Sequence, residues 1–446
     1  MAAGRAVGIN LAAQCKEGLK TDMRVLLISG NREDVDIRVP PLGLACIAAS
    51  AERSGHEVRL LDFLVEKDPR AAVAQAIQSF NPEAIGVSVR NIDDQRMRDT
   101  KFLLDQARDA VVWCKEESTA PIILGGAGFS ILPRAVLNYV DAEMGIQGEG
   151  ETIFPELLRR IHAGEKLDSL PGLFRKRDSA PVRRTFVKEM DALPLPDPAL
   201  LARTLSGTGD APVPVQSRRG CPMSCSYCST PTIEGKSVRW RSPESVVSWI
   251  ARWVEEGFRN FYFVDNTFNL PPFYATQLCS QIIAAGLNIR WRCILFPGGL
   301  TPNLIEMLAK AGCTEVSIGF ESGSERMLQR MHKHFQSGEV RRASELLRQH
   351  HIRRMGFLLL GGPGETKDTA EASLDFAESL QLDSLRISVG VRIYPHTDLS
   401  RAAMEEGLIS SEENLLFPRF YMAKGIEDWL FAEVNRRMAS RPNWIR

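Results

Sequence analysis

Three cysteines fall within eight residues in the run Ser217-Arg218-Arg219-Gly220-Cys221-Pro222-Met223-Ser224-Cys225-Ser226-Tyr227-Cys228, just after an apolar, strand-like segment. The spacing places three thiolates in one short loop, where they can grip a single iron–sulfur cluster. A [4Fe–4S] cube normally takes four cysteines, so three leave one iron without a protein ligand and open to chemistry. Two other readings compete. Tetrahedral zinc needs a fourth Cys or His close by, and the nearest candidates, Cys279 and Cys293, sit far off in segments that read as a helix and a strand. A disulfide is disfavoured by the odd total of nine cysteines and the lack of a secretory hydrophobic run.

The rest of the chain has to fold around that loop. Its 446 residues, 44% hydrophobic and 25% charged, suffice for two or three domains with their own cores. Lys plus Arg and Asp plus Glu balance at 55 each, so no global basic field points to nucleic acid. No apolar run approaches the roughly 18 residues of a membrane span. The expectation is a cytoplasmic protein whose thiols stay reduced. Residues 1–22 have little periodic pattern and are expected to be a poorly ordered leader.

Residues 23–164 alternate short apolar runs with amphipathic helical ones, which predicts a doubly wound parallel sheet. The predicted strands are Arg24–Ile28, Glu57–Leu61, Ala84–Val89, Pro121–Leu124 and Ala142–Ile146, with helices such as Leu42–Arg53 and Pro69–Phe80 between them. Gly125 and Gly126 follow the fourth strand, where open α/β sheets bind ligands; plain strand-to-helix geometry would also ask for glycine there. Residues 165–212 are rich in proline and read as a surface linker. Beyond it, strands are predicted at Val213–Ser217, Phe261–Asp265, Ile289–Ile294, Glu315–Phe320, Met355–Leu360 and Ser384–Ile393. Six such units over 213–400 fit a partial (β/α)6 barrel with its site at the strands' carboxyl ends. Residues 401–446, with aromatic residues from Phe417 to Trp444, read as a small helical region and a candidate lid.

The cysteine run, with Tyr227 just before its last cysteine, resembles the C-x3-C-x2-C signature of radical S-adenosylmethionine (SAM) enzymes. Pro40-Pro41-Leu42-Gly43-Leu44, Gly125-Gly126 and Gly148-Glu149-Gly150-Glu151, placed ahead of it, are similar to the cobalamin (B12)-binding domain of B12-dependent members. The resemblance implies a Rossmann-like B12 domain, a [4Fe–4S] cluster on Cys221, Cys225 and Cys228, and SAM chelating the open iron. It implies a 5′-deoxyadenosyl radical that activates a substrate carbon, and a methyl group delivered from methylcobalamin. For SAM it suggests Tyr227, Asp265, Asn266, Glu321 and Ser322, the glycines Gly362 and Gly364, and Arg330, Lys333 or Arg353 as partners of the carboxylate. For cobalamin it suggests Pro41, Leu42, Gly43, Arg90, Asn91, Gly125, Gly126, Gly148, Glu149 and Gly150. The Asp-x-His-x-x-Gly run that ligates cobalt elsewhere is missing, so no histidine of that motif would hold the metal.

Arg90 is the candidate for the residue beneath the corrin; its other reading is a salt bridge to Asp93 or Asp94. The function expected is methyl transfer to a poorly nucleophilic carbon of an unknown substrate, with electrons from a flavodoxin or ferredoxin. A radical rearrangement, cyclisation or oxidation is the alternative enzyme, recognisable because it would not accumulate S-adenosylhomocysteine. A SAM- or cobalamin-sensing protein is the alternative outside enzymes, and an open iron is superfluous for a sensor.

Overall fold

The computed structural model describes residues 23–33, 39–178, 182–206 and 211–446. The expected leader, residues 1–22, lies outside them. The chain first builds a six-stranded sheet from β1 (Arg24–Ser29), β2 (Glu57–Asp62), β3 (Ala84–Ser88), β4 (Ile122–Gly125), β5 (Met144–Ile146) and β6 (Leu173–Arg175), in the order β2-β1-β3-β4-β5-β6. β1 to β5 run parallel and only β6 is antiparallel. Val25 to Ser29 are buried because helices cover both faces of a parallel sheet. The helices Leu42–Arg53 and Pro69–Phe80 keep the predicted bounds. In the second, Asp68 accepts a hydrogen bond from the Ala71 amide, Pro69 follows, and left-handed Asn81 ends the helix. The strand order reverses direction between β1 and β3, which opens a crevice beyond their carboxyl ends.

Residues 165–212 are more than a linker. β6 extends the first sheet, and the helix Pro198–Ser206 packs Leu201 and Leu205 into the core of the second domain. The proline-rich stretch is pinned by buried donors: Arg241 binds the Met190 and Leu193 carbonyls, and the Trp249 indole binds that of Pro196 at 2.8 Å. Proline removes the chain's own donors but leaves its carbonyls, and neighbouring side chains use them.

The second domain starts with β7 (Val213–Val215), then a short antiparallel hairpin, β8 (Arg218–Arg219) with β9 (Arg239–Trp240), whose connection carries the cysteines. It continues through β10 (Asn260–Phe263), β11 (Arg290–Leu295), β12 (Cys313–Glu321), β13 (Arg353–Leu360) and β14 (Ser384–Val389). β15 (Val391–Arg392) pairs with β16 (Phe420–Tyr421), and β17 (Trp444–Ile445) closes the chain. The large sheet is ordered β17-β14-β13-β12-β11-β10-β7, seven strands rather than six, because the carboxyl-terminal tail adds an edge strand to β14. Both ends stay unpaired, so the barrel is partial. Alternate residues such as Trp291, Cys293 and Leu295 are buried under the helices, while Arg292 and Ile294 on the concave face are half-buried.

The tail does not act on the barrel alone. Phe417, 60% exposed, stacks on Phe102 of the first domain at 5.1 Å, and Phe431 lies 3.6 Å beneath the Arg98 guanidinium. A buried Asp93–Arg392 pair at 2.9 Å joins the domains across 299 residues.

Candidate functional site

The cysteine loop lies at the carboxyl end of β7 and is sewn into place by backbone hydrogen bonds. The Cys221 amide donates to Gly235, that of Ser226 to Met331, that of Cys228 to Cys225, and that of Leu399 to Ser226, all within 3.2 Å. Cys221 is buried and Cys225 and Cys228 are half-buried. Burial pushes the Cys221 and Cys225 thiols up, and the Lys333 cation opposes this at Cys225. Among the described residues no three His, Cys, Asp or Glu side chains converge on a point suited to one metal ion. Each thiolate of a cube takes its own iron, so a cluster does not ask for such convergence.

Beside the loop, the end of β12 and the segment after it bring Glu321 and Lys333 together at 3.3 Å. The ammonium lies 5.3 Å from the centroid of the Tyr227 ring. Burial would lower the Lys333 pKa, but Glu321 and Tyr227 outweigh it and hold the ammonium well above its usual range. Glu321 has φ +61°, a left-handed conformation that non-glycine residues avoid and that functional sites often retain. Gly319 leaves room for it, since an added Cβ would stand 2.8 Å from a Glu321 carboxylate oxygen. Across the mouth, Gly362 and Gly364 flank Pro363, and the Arg330 guanidinium lies against Gly364, where a Cβ would approach it to 2.6 Å. Glu365, 4% exposed, accepts the Gly361 amide at 2.5 Å with one oxygen and leaves the other without a hydrogen bond. Burial raises its pKa to about 7.

Four of the SAM candidates sit differently from the sequence expectation. Asp265, 2% exposed, faces the neck of the cysteine loop and accepts the Ser217 and Arg218 amides at 2.9 and 3.1 Å and the Ser217 hydroxyl at 2.6 Å. Ser322 is fully buried, bonded to the Ser373 hydroxyl at 2.7 Å and accepting the Ser324 amide. Arg353 opens β13 at the end of the barrel opposite the cysteines and points its guanidinium toward Glu315 at 3.8 Å. Asn266 donates to Glu234 at 2.7 Å, and Glu234 in turn accepts the Gly220 amide at 3.0 Å.

A cavity of about 450 Å³ lies between the two domains, over the carboxyl ends of β1, β3 and β4. That volume is within the range of ligand pockets. Its Rossmann wall gathers Pro41, Leu42, Gly43, Arg90, Gly125, Gly126, Gly148, Glu149 and Gly150; Asn91 is exposed and outside it. Gln216, Arg219 and Glu234 close it from the cysteine-loop side. Cβ atoms added at Gly43 or Gly125 would meet no atom within 4 Å, so these glycines keep the wall flat and open. Gly126, at φ +100°, lies against the Val89 carbonyl and makes the turn that shapes the rim. This wall fits a broad planar ring.

Arg90 opens into that cavity and makes no hydrogen bond or ion pair among the described residues. Its expected salt-bridge partners are taken: Asp93 by Arg392, and Asp94 by the Lys101 and Arg96 amides. Surrounding protein lowers the Arg90 pKa, with Asp62 and Tyr262 as the groups that oppose the shift.

Sequence reasoning missed Glu234, the Asp93–Arg392 pair and the carboxylate partners of Arg219 and Arg239. The doubled arginine before Gly220 was the one visible signal of the last of these.

Residues 29–158 match the B12 binding domain model and residues 215–377 the radical SAM superfamily model. The chain is 27% identical over 401 residues to an uncharacterized methyltransferase of Pyrococcus horikoshii, covering 87% of this chain and 84% of that protein. It is 23% identical over 448 residues to a tryptophan 2-C-methyltransferase of Streptomyces laurentii, covering 86% and 74%. In fold it superposes with a TM-score of 0.83 on the radical SAM methyltransferase TsrM of Kitasatospora setae, at 21% identity over 95% of this chain and 90% of that one. The order of the two matched domains, each holding its own wall or loop of a shared interior, places the chain in the cobalamin-binding radical SAM family.

Proposed function

We propose that this chain is a cobalamin-dependent radical SAM methyltransferase acting on a poorly nucleophilic carbon. The observation that carries the proposal is the interdomain cavity, whose flat glycine wall belongs to the Rossmann domain and whose facing wall, Gln216, Arg219 and Glu234, flanks the cysteine loop. A corrin resting there would be presented to the barrel mouth. When bound, the cluster with SAM supplies a carbon-centred radical oxidant and cobalamin a transferable methyl group.

The chain's own residues bind, orient and exclude water. Cys221, Cys225 and Cys228 would hold three irons. Lys333, neutralised on one side by Glu321, stands where it can meet the SAM carboxylate, and Gly362 and Gly364 let backbone approach the adenine. Arg90, on the cavity wall, would help hold the corrin there as a permanent cation that has no lone pair to offer a metal. Methyl transfer to a radical carbon removes no proton from the acceptor, so this reaction asks for no paired general acid and base. Two relatives that match most of the chain carry methyltransferase names, which supports the reading. The proposal includes an acidic electron carrier, flavodoxin or ferredoxin, and a reducing cytosolic compartment.

The test is anaerobic reconstitution with iron, sulfide and hydroxocobalamin, followed by desalting, metal analysis and incubation with reductant and SAM. About four irons and one cobalt per chain, with slow formation of 5′-deoxyadenosine that Cys225→Ala abolishes, are the expected results. Four irons with no retained cobalt would leave a radical SAM enzyme and refute methyl transfer through cobalamin.

A further inference from the structure

All four residues of the Gly148-Glu149-Gly150-Glu151 turn line the cavity, and its two carboxylates reach across to the cluster hairpin. Glu149 accepts from Arg239 at 2.6 Å and from the Val187 amide at 2.7 Å, and lies 3.5 Å from Arg219. Glu151 is bonded to Arg219. All four side chains are at most 9% exposed. Burial works to raise the Glu151 pKa, and the Arg219 cation overrides it and holds the carboxylate below its usual range.

Arg219 and Arg239 are register partners across the β8–β9 hairpin, so the two glutamates of the first domain grip both strands of the structure that carries the cysteines. Cys221 is two residues beyond Arg219. The neck between them is tight: Gly220, at φ +89°, has no room for a Cβ against the Ser237 carbonyl, and its amide is held by Glu234. Arg219 and Glu234 are also wall residues of the cavity. Buried ion pairs are weak contributors to stability, and their best-attested use is to fix the register of one element against another. Here that register is the position of the cluster hairpin on the cavity rim.

We propose that this buried quartet couples the two cofactor sites: Glu149 and Glu151 hold the cluster hairpin through Arg239 and Arg219, so that loading the cluster and filling the interdomain cavity favour one another. The inference rests on the corrin reading of the cavity given above. A cluster on Cys221, Cys225 and Cys228 would fix the hairpin, and the hairpin would fix Arg219 and Glu234 in the shape that the corrin meets. Reciprocity requires bound cobalamin to steady the cluster by the same factor.

The test measures hydroxocobalamin affinity of the full chain, by anaerobic equilibrium dialysis with cobalt analysis, in cluster-loaded and cluster-free forms. Wild type should bind about tenfold more tightly when loaded, in the range usual for coupled sites, and bound cobalamin should slow iron loss to a chelator. Glu151→Gln should bring the ratio of the two affinities close to one. Because that variant takes the nearest carboxylate from a buried guanidinium, a second one, Glu151→Leu with Arg219→Met, removes both charges and should show the same loss of coupling. Equal wild-type affinities in the two forms, or variants that retain the wild-type ratio, overturn the coupling. Affinity lost equally in both forms of Glu151→Gln would make Glu151 a direct corrin contact and also overturn it. No cobalamin retained by wild type in either form would remove the corrin reading together with the inference.

Discussion

Asp265 lies two residues beyond the second barrel strand, where the sequence predicts a SAM contact, yet its carboxylate holds the entrance of the cysteine loop through two amides and a hydroxyl. Replacing it by alanine orphans the Ser217 and Arg218 amides, in a site where Asp265 is 2% and Ser217 0% exposed. A buried donor without a partner costs about 1–3 kcal/mol, so two predict a loss of about 4 kcal/mol, a large part of the roughly 5–15 kcal/mol that stabilises a typical domain. Asp265→Asn keeps an oxygen for both amides, and the Ser217 hydroxyl can turn to accept from the new amide group. That variant loses the negative charge near buried Arg218, whose Nη1 atom has no hydrogen-bond partner, and should cost about 1–2 kcal/mol. The assay is urea unfolding of the cluster-free chain followed by fluorescence, which reports on the barrel because Trp249, Trp253 and Trp291 are buried there. Iron content after reconstitution is the second readout, and it should fall in Asp265→Ala more than in Asp265→Asn. A loss below about 1 kcal/mol for Asp265→Ala, with full iron loading, would refute the argument. So would an Asp265→Asn protein of wild-type stability and iron content that binds SAM tenfold more weakly, which would return Asp265 to direct ligand contact.

Two further outcomes follow from groups at the same interior. Glu365 has a folded pKa of about 7 against an ordinary 4.5; between these values the folded chain binds the extra proton, so stability falls as pH rises from about 4.5 to 7, by up to about 3 kcal/mol at 1.36 kcal/mol per pKa unit. Glu365→Gln should flatten that part of the urea midpoint against pH, and an unchanged slope would exclude Glu365 as its source. Arg90→Ala should shift the visible bands of bound cobalamin if the guanidinium stands beneath the corrin, and a spectrum identical to wild type at equal occupancy would remove Arg90 from that place.

Local pattern carried much of this fold. The helix Leu42–Arg53 repeats its small apolar residues at helical spacing, the helix Pro69–Phe80 has a capping aspartate, a first-turn proline and an asparagine stop, and the central strand Arg24–Ser29 holds an unbroken apolar run from Val25 to Ile28. Where the reading failed, it failed on direction. Asp265 and Ser322 do follow the carboxyl ends of their strands, but position along a strand does not say whether a side chain points into the mouth or back into the loop it supports. Arg353, a cation near the glycine-rich turn in sequence, begins its strand, and parallel strands put their first residues at the far end of the barrel. The prolines of the bridge predict a linker, but proline is equally at home as the first residue of a helix, as at Pro198, and an antiparallel edge strand such as Leu173–Arg175 is too short to show a period.

The cavity shows the same division within one site. Its Rossmann wall is built from glycines and short turns whose backbone demands are local, so Gly43, Gly125, Gly126, Gly148 and Gly150 announce themselves in the sequence. Its other wall is held by charges that find partners far along the chain, Arg219 with Glu151, 68 residues away, and Arg239 with Glu149, 90 residues away; outside the cavity, Arg392 with Asp93 joins the domains in the same way. No periodicity links such residues, and each of them alone looks like an ordinary surface charge. Yet a charge left unpaired in that interior would cost several kcal/mol, so each pair constrains where one domain sits on the other. The chemistry proposed here needs a corrin and a cluster to face one reaction space. The placement of the two facing walls therefore depends on the residues that a single sequence hides best.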